Sequence, residues 1–286
     1  MFGLTHSRVL RHNVQILAIL LLSSLAAAPA KGAEESAWDR DMHSAARLIG
    51  ARAAVDRGHA TFRAGIEIRL DKGWKTYWRY PGDSGVPPRF VFERSENVKT
   101  VAVKWPAPHR FSDEGGQSIG YKEHVILPLA IEPRDATQPV MLRLDLDYAV
   151  CEKLCVPAQG KMELVLTGEP TAHDPALAEA EQRVPQRRAI GELSALSIIA
   201  ITRETPGRVT VDVAAPNAMS VDLFAEGPTP AWALPLPELV GGAPAGLKRF
   251  TFPLDGVPPG ATADGATLNL TAVAGEAAIE VAHRLD

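Results

Sequence analysis

The only two cysteines of the chain, Cys151 and Cys155, lie close together in the stretch YAVCEKLCVP (148–157). Two thiols at this spacing can form a structural disulfide, supply two ligands to a metal ion, or exchange electrons through a reversible disulfide. The residues between them allow the two Cα atoms to approach the ~4.4–6.8 Å that a disulfide requires. The surrounding sequence must distinguish between these three chemistries.

A purely structural disulfide is not the favoured interpretation. Closing a loop of about five residues stabilises a fold by roughly 2 kcal/mol, against ~4.7 kcal/mol for a loop of about a hundred residues. A bridge between distant strands would therefore stabilise a chain of 286 residues more effectively. A non-catalytic binding or scaffold protein with a structural disulfide remains the alternative.

A metal site is favoured less. Two thiolates supply half of a tetrahedral site, and the nearest histidines in the sequence, His124 and His173, lack ligand spacing. Two soft thiolates could still bind Cu(I), so copper handling remains a further alternative. We expect neither a bound metal nor an organic cofactor.

Reversible thiol–disulfide exchange is the favoured chemistry, although CxxxC alone is not a specific signal. Lys153 between the cysteines favours a thiolate, whereas Glu152 opposes it. The sequence contains no CxxC motif of the thioredoxin type. The fold around the pair is therefore expected to differ from that of thioredoxin.

The elements that position the pair can be read from alternating apolar residues. In 142–150 the apolar residues occupy the even positions, so Cys151 is expected on the polar side of a strand. Cys155 follows just past the end of this strand and precedes Val156 and Pro157. The pair is therefore predicted at a strand end or hairpin tip, where a thiol can be reached.

The same period-two pattern predicts an all-β protein. It recurs in 60–70, 125–131, 142–150 and 162–166, and again between 209 and 281. The 23 prolines and 23 glycines fit a fold that is rich in turns. We expect a β-sandwich domain over 31–168 and a second, smaller β-sandwich domain over 191–286.

One segment, HDPALAEAEQRVPQRRAIG, departs from this pattern and predicts a short helix. Asp174 suits the N-cap, Pro175 suits the first helical position, and Pro185 is expected to end the helix. We therefore expect residues 169–190 to form a helical linker between the two β domains.

Residues 1–30 are typical of a secretory signal peptide. Arg8 and Arg11 precede an apolar segment from Val14 to Ala28, and Ala28-Pro29-Ala30 gives a small-x-small cleavage site. No segment after residue 31 approaches ~18 consecutive apolar residues, so we expect no membrane span after cleavage. The expected location is the periplasm, where nearby thiols are oxidised.

The charge pattern excludes one class of partner. The net charge of −4 is small and dispersed, and the sequence contains no basic stripe of the kind that binds phosphates. We therefore expect no nucleic-acid partner.

Four segments occur in the same order as in one known family: GWKTYWRYPGDSGVPP (73–88), WPAPHRF (105–111), IGYKEHVILPLAI (119–131) and YAVCEKLCVP (148–157). The chain thereby resembles the N-terminal, immunoglobulin-like domain of the thiol:disulfide interchange protein DsbD, and ScsB-type relatives most closely. The resemblance is strong over 55–168. It implies a protein-disulfide reductase-like module that receives electrons from a separate membrane carrier and passes them to thioredoxin-like or copper-tolerance proteins.

The resemblance also implies roles for the two cysteines. Cys155 matches the cysteine that forms the mixed disulfide with partners, and Cys151 matches the one that resolves it. Trp74 and Tyr77 are expected to form an aromatic wall beside the pair.

One departure from the family concerns the cover of the pair. Other members place an aromatic residue in a short loop after an acidic pair. Here FSDEGGQSIGY (111–121) contains Asp113 and Glu114, but glycines follow where the aromatic is expected. Either Phe111 or Tyr121 takes over the role of this aromatic residue, or the cysteine pair is less shielded here than in those members.

Overall fold

The structure is a computed structural model and describes residues 1, 3, 33–56, 59–82, 85–113, 116–204, 207–216 and 219–286. Apart from Met1 and Gly3, the predicted signal peptide lies outside the described residues, as does Glu114. For Asp113 only the backbone is described. The sheets presented below all belong to the compact unit Gly32–Asp286.

Two sheets that pack face to face form the first sandwich. Their strands are β1 (Asp39–Arg40), β2 (Ser44–Asp56), β3 (His59–Leu70), β4 (Lys75–Gly82), β5 (Arg89–Val91), β6 (Val98–Val103), β7 (His109–Asp113), β8 (Gly116–Lys122), β9 (His124–Pro133), β10 (Val140–Cys151) and β11 (Cys155–Leu166). One sheet has the order β1-β2-β3-β9-β6, and the other has the order β11-β10-β4-β8-β7 with β5 paired to β10.

The core of this sandwich follows the alternation seen in the sequence. The even residues of β10, among them Leu142, Leu144 and Leu146, are buried in one cluster with Ile66 and Ile68 of β3. Fully burying one such side chain contributes roughly 1.5–3 kcal/mol, which explains why the register is well specified.

The predicted helix forms, but its ends differ from the prediction. Helix α1 spans Asp174–Gln182, its N-cap is His173, and it ends before Pro185. Asp174 is thus the first helical residue. Its carboxylate accepts hydrogen bonds from the backbone N–H groups of Thr171 (2.8 Å) and Arg52 (3.0 Å). The carboxylate therefore joins α1 to the first sandwich.

Helix α1 packs against the outer face of the first sheet. Leu177 and Ala180 are buried in a cluster with Ile49, Ala51 and Ile126. The segment expected to be a linker thus also covers part of the first sandwich.

The remaining strands form a second pair of sheets. They are β12 (Gln186–Arg187), β13 (Ser197–Glu204), β14 (Arg208–Ala214), β15 (Asp222–Glu226), β16 (Glu238–Val240), β17 (Leu247–Pro253), β18 (Thr267–Ala274) and β19 (Ala277–Arg284). The sheet orders are β12-β19-β18-β15 and β13-β14-β17-β16. Their inner faces enclose a second apolar cluster that includes Val211, Phe252 and Leu270. The predicted all-β fold class is confirmed.

The second sandwich also contributes to the core of the first. Phe224, Leu236 and Val273 are buried in the same cluster as the residues of β3 and β10.

Within the described part of the chain, no helix is long and apolar enough to cross a membrane.

Candidate redox site

The two cysteines face each other at the end of a β-hairpin. Strands β10 and β11 pair so that Cys151 lies directly opposite Cys155, and a disulfide joins them with the Cα atoms 4.2 Å apart. Glu152, Lys153 and Leu154 form the exposed loop of the hairpin. The predicted hairpin tip is confirmed, although Cys155 is the first residue of β11 and does not lie in a turn beyond the strand.

The two sulfurs are not equally accessible. Cys155 is exposed, whereas Cys151 is only 2% exposed. By alternation Cys151 shares the face of Arg143, Asp145 and Asp147, as expected, but this face is buried at its Cys151 end. Strand β4 runs beside this end of β10, with Lys75 opposite Cys151, and the buried neighbours of Cys151 are Tyr77 and Ala149. Both faces of β10 are covered here.

Tyr77 makes a direct polar contact with the pair. Its Oη lies 2.7 Å from Cys151 Sγ and 3.1 Å from Cys155 Sγ. The sulfurs of a disulfide carry no hydrogen, so the phenolic hydroxyl is the donor in both contacts. After reduction the same donor can reach a thiolate, and a hydrogen bond to a charged acceptor is roughly twice as strong as a neutral one.

The segment after β4 approaches the Tyr77 ring closely. A Cβ atom on Gly85 would lie 2.6 Å from Cδ1 of Tyr77 and 2.3 Å from Cβ of Pro81. Only glycine allows this approach, because real Cβ atoms do not make contacts of this length. Gly85 therefore belongs to the packing that holds the ring, a role that its place in a turn-like sequence did not indicate.

The second member of the predicted wall, Trp74, has a different contact. Its ring stacks on the imidazole of His43, with centroids 3.8 Å apart. Trp74 immediately precedes Lys75, whose register partner is Cys151. Trp74 is thus next in sequence to the residue that pairs with Cys151. Its role in shielding the sulfurs stays a prediction.

The two alternative covers lie further along the same sheet. Tyr121 is buried opposite Thr76, and its hydroxyl donates to the backbone oxygen of Pro106 (2.8 Å). Burial raises the pKa of Tyr121 well above its usual value. The Phe111 ring lies 4.8 Å from the Lys122 ammonium and 5.8 Å from that of Lys75. Tyr77 is thus the aromatic residue whose contact with both sulfurs the structure shows.

Of the acidic pair, the structure describes only the backbone of Asp113. Asp113 is the last residue of β7, and its backbone pairs with Gly116 of β8. A role for Asp113 and Glu114 beside the cysteines stays a prediction.

Sequence reasoning missed one buried charged residue on the strand next to Cys151. Lys75 is buried, lies opposite Cys151, and donates from Nζ to Ser118 Oγ (2.9 Å). Its ammonium thus contacts a hydroxyl on β8, the strand on the other side of β4 from β10. Only the pairing of β4 with β10, a contact distant in sequence, could have revealed it.

Among the described residues, no group of three or more His, Cys, Asp or Glu side chains is arranged to hold a metal ion.

Comparisons with known proteins agree with this geometry. Residues 46–167 match the family described as the N-terminal region of the thiol:disulfide interchange protein DsbD. The chain is also similar to the crystal structure of the N-terminal periplasmic domain of ScsB from Proteus mirabilis, with 19% identity and a TM-score of 0.69 over 88% of this chain and 98% of that chain. At this identity the structural likeness establishes the fold. A comparison with curated proteins finds no match.

Proposed function

Since residues 46–167 belong to the DsbD N-terminal family, we propose that the chain is a periplasmic thiol–disulfide exchange module. The observation that carries this proposal is the asymmetry of the Cys151–Cys155 disulfide. One sulfur is exposed at a hairpin tip, and the other is buried beneath a hydroxyl donor. Exchange needs one sulfur that a partner can reach and a second that waits to resolve the mixed disulfide.

The exchange takes two steps from the reduced pair. The Cys155 thiolate attacks a partner disulfide, so that a mixed disulfide forms and one partner thiolate leaves. The Cys151 thiolate then attacks Sγ of Cys155, which reforms the Cys151–Cys155 bond and releases the second partner thiolate. Two electrons have passed to the partner, and the two protons of the dithiol balance the two thiolates released. An upstream dithiol reloads the pair by the reverse route.

Tyr77 supports the thiolate state. Its hydroxyl lies within reach of both sulfurs. A hydrogen bond from this donor stabilises a thiolate relative to a thiol, which lowers the pKa of a cysteine. A thiolate is the attacking species in exchange, so this contact favours the first step.

The exposed tip and the family resemblance support a choice of partner classes. We propose thioredoxin-like or copper-tolerance proteins as acceptors and a separate membrane electron carrier as the upstream donor. Leu154, 73% exposed, gives the tip an apolar side chain next to Cys155 that such a protein can cover. The signal-peptide pattern of residues 1–30 supports a periplasmic location.

Direct electron transfer tests this function. The reduced chain is mixed with an oxidised thioredoxin-like protein, quenched with acid, and labelled with a maleimide that shifts thiol-bearing proteins on a gel. We expect labelling of the chain to fall and labelling of the acceptor to rise with the time of mixing. The Cys151→Ser, Cys155→Ser double variant should leave the acceptor unlabelled. A pair that transfers nothing and whose potential lies below about −300 mV would instead be a structural bridge.

A further inference from the structure

Strand β4 is held by regular pairing only as far as Tyr77. Residues 75–77 pair with 120–122 of β8, and the next register partners are Gly82 and Ser118. Residues 78–81 of β4 therefore lie opposite the single residue Ile119. On the other side, β10 pairs with β4 only at Lys75 and Thr76. Tyr77 thus sits at the last regular position, and contacts outside the sheet set the course of the chain beyond it.

Arg79 makes the main polar contacts beyond this point, and it makes them with the second sandwich. Its Nε–H donates to Glu226 Oε1 (2.8 Å), and its Nη2 donates to Glu226 Oε2 (2.7 Å) and Glu280 Oε2 (2.5 Å). Both glutamate side chains are only 13% exposed. A bidentate guanidinium–carboxylate pair fixes direction as well as distance.

We call Arg79, Glu226 and Glu280 the clamp, and its guanidinium keeps its positive charge near neutral pH. Burial alone would lower the pKa of Arg79, but the two carboxylates outweigh burial and raise it above its usual value. The guanidinium therefore stays charged across the range in which thiols titrate.

The residues on either side of Arg79 also contact the second sandwich. The Trp78 ring lies 5.8 Å from the Phe224 ring, and the Arg79 guanidinium lies 4.3 Å above the Trp78 ring. The Tyr80 hydroxyl donates to the backbone oxygen of Leu234 (2.5 Å). Three consecutive residues after Tyr77 are thus fixed from outside the sheet that carries the cysteines.

We propose that Arg79 is a positioning residue of the redox pair and that the second sandwich is the support on which it acts. The clamp holds residues 78–80, these hold Tyr77 at the end of its regular pairing, and Tyr77 holds its hydroxyl at the sulfurs. The inference rests on the proposed function only in that the Cys151–Cys155 pair must be reducible.

The direction of the effect follows from the state that the hydroxyl stabilises. A hydrogen bond strengthens more on a thiolate than on a neutral disulfide, so it favours the reduced pair. Releasing the clamp moves the hydroxyl, which destabilises the thiolate. The pair then becomes harder to reduce, and the pKa of the attacking thiol rises.

The test compares removal of the clamp with removal of one other ion pair, both in the full chain. Arg79→Met combined with Glu226→Gln and Glu280→Gln removes the clamp without leaving buried carboxylates unpaired. The matched control is Arg249→Met with Asp212→Asn, which removes another bidentate pair (2.7 and 2.8 Å), located between β14 and β17. Circular dichroism verifies folding, and the fraction of reduced pair is measured in glutathione buffers.

We expect the clamp variant to lower the equilibrium constant for reduction about tenfold, which corresponds to ~30 mV, and the control variant to leave it unchanged. In a Tyr77→Phe background the clamp substitutions should have no further effect, since the hydroxyl through which they act is gone. Arg79→Lys keeps the charge without the bidentate fork and should give a smaller shift of the same sign. It also serves if the triple variant fails to fold.

Three results would overturn the inference: an unchanged equilibrium in folded Arg79 variants, an equal shift in the control, or full additivity with Tyr77→Phe. Glutathione replaces any protein partner in this measurement. A failure of exchange with thioredoxin-like proteins would therefore count against the proposed function and leave this result standing.

Discussion

The hydroxyl of Tyr77 lies 3.1 Å from Sγ of Cys155, the sulfur that a partner can reach. The same oxygen lies 2.7 Å from the buried sulfur of Cys151. One donor therefore serves both cysteines, and it can stabilise whichever of them carries the negative charge during exchange. Tyr77 can therefore act on the pair in two ways: its ring can shield the sulfurs, and its hydroxyl can donate a hydrogen bond to them. Different substitutions distinguish the two effects.

We expect Tyr77→Phe to lower the rate at which the reduced pair reacts with iodoacetamide at neutral pH by about tenfold. The ring still packs against Cys151, but the thiolate loses a hydrogen bond worth roughly 1.5–3 kcal/mol. The pH dependence of alkylation should show a raised thiol pKa. Tyr77→Ala removes the cover as well and should react faster than Tyr77→Phe at high pH. Equal behaviour of wild type and Tyr77→Phe would show that the hydroxyl has no effect.

Trp74→Ala gives the matching test for the other half of the predicted wall. If Trp74 shields the pair, the substitution raises the alkylation rate without changing the thiol pKa, because no donor is lost. The readout is the limiting rate at high pH, where both cysteines are ionised. A rate equal to that of wild type would assign the ring to its stack with His43 alone.

The burial of the two sulfurs predicts which cysteine meets the partner. We expect Cys151→Ser to accumulate a mixed disulfide through Cys155 with an oxidised thioredoxin-like protein, visible on a non-reducing gel. The exposed thiol can attack, while the buried resolving thiol is missing. Cys155→Ser should accumulate far less, since Cys151 is only 2% exposed. A complex formed mainly by Cys155→Ser would reverse the assignment of roles.

The sequence predicts the strands in which one face is buried and the other is open. Strand β10 alternates cleanly because its inner residues, such as Leu144, reach the core while Arg143 and Asp145 reach solvent. Strand β2 was not predicted, because residues 44–51 are buried on both faces and so do not alternate. Strand β4 ends in Pro81-Gly82, which reads as a turn, and its course depends on the second sandwich.

The candidate site was predicted only in part for a related reason. The spacing of Cys151 and Cys155 along one hairpin is local, so the sequence could place them together. The contact of Tyr77 with both sulfurs depends on the register between β4 and β10, which joins residues more than seventy positions apart. The family resemblance predicted Tyr77 beside the pair, whereas nothing in the sequence indicated Lys75 or Gly85.

Acid should weaken the first sandwich through Glu67. This side chain is 5% exposed. Burial alone would raise its pKa, but hydrogen bonds from His124, Arg47 and Arg69 outweigh burial and lower it to about 2. A folded pKa below the unfolded value of 4.5 gives stability that is present above pH 4.5 and is lost as the pH falls towards 2. The shift corresponds to about 3 kcal/mol.

We therefore expect Glu67→Gln to reduce the free energy of unfolding by about 2–3 kcal/mol at pH 6, measured with urea, and by much less at pH 2.5. Asp135→Asn is the control, because its carboxylate also has a lowered pKa but is fully exposed. A loss of stability in Glu67→Gln that is the same at both pH values would show that the effect is steric and not electrostatic.

Gly120 should be the glycine least tolerant of substitution near the site. It lies opposite Tyr77 in β8, and a Cβ atom there would lie 1.9 Å from the backbone oxygen of Thr76. The backbone of β4 would have to move, so we expect Gly120→Ala to lower the free energy of unfolding by more than about 3 kcal/mol. The remaining folded protein should also show altered alkylation of the pair, because Tyr77 is displaced with its strand.

Gly241→Ala is the matched control, since nothing lies within 4 Å of its added Cβ. Urea denaturation of both variants measures the difference, and equal stability would mean that β4 and β8 can separate without cost.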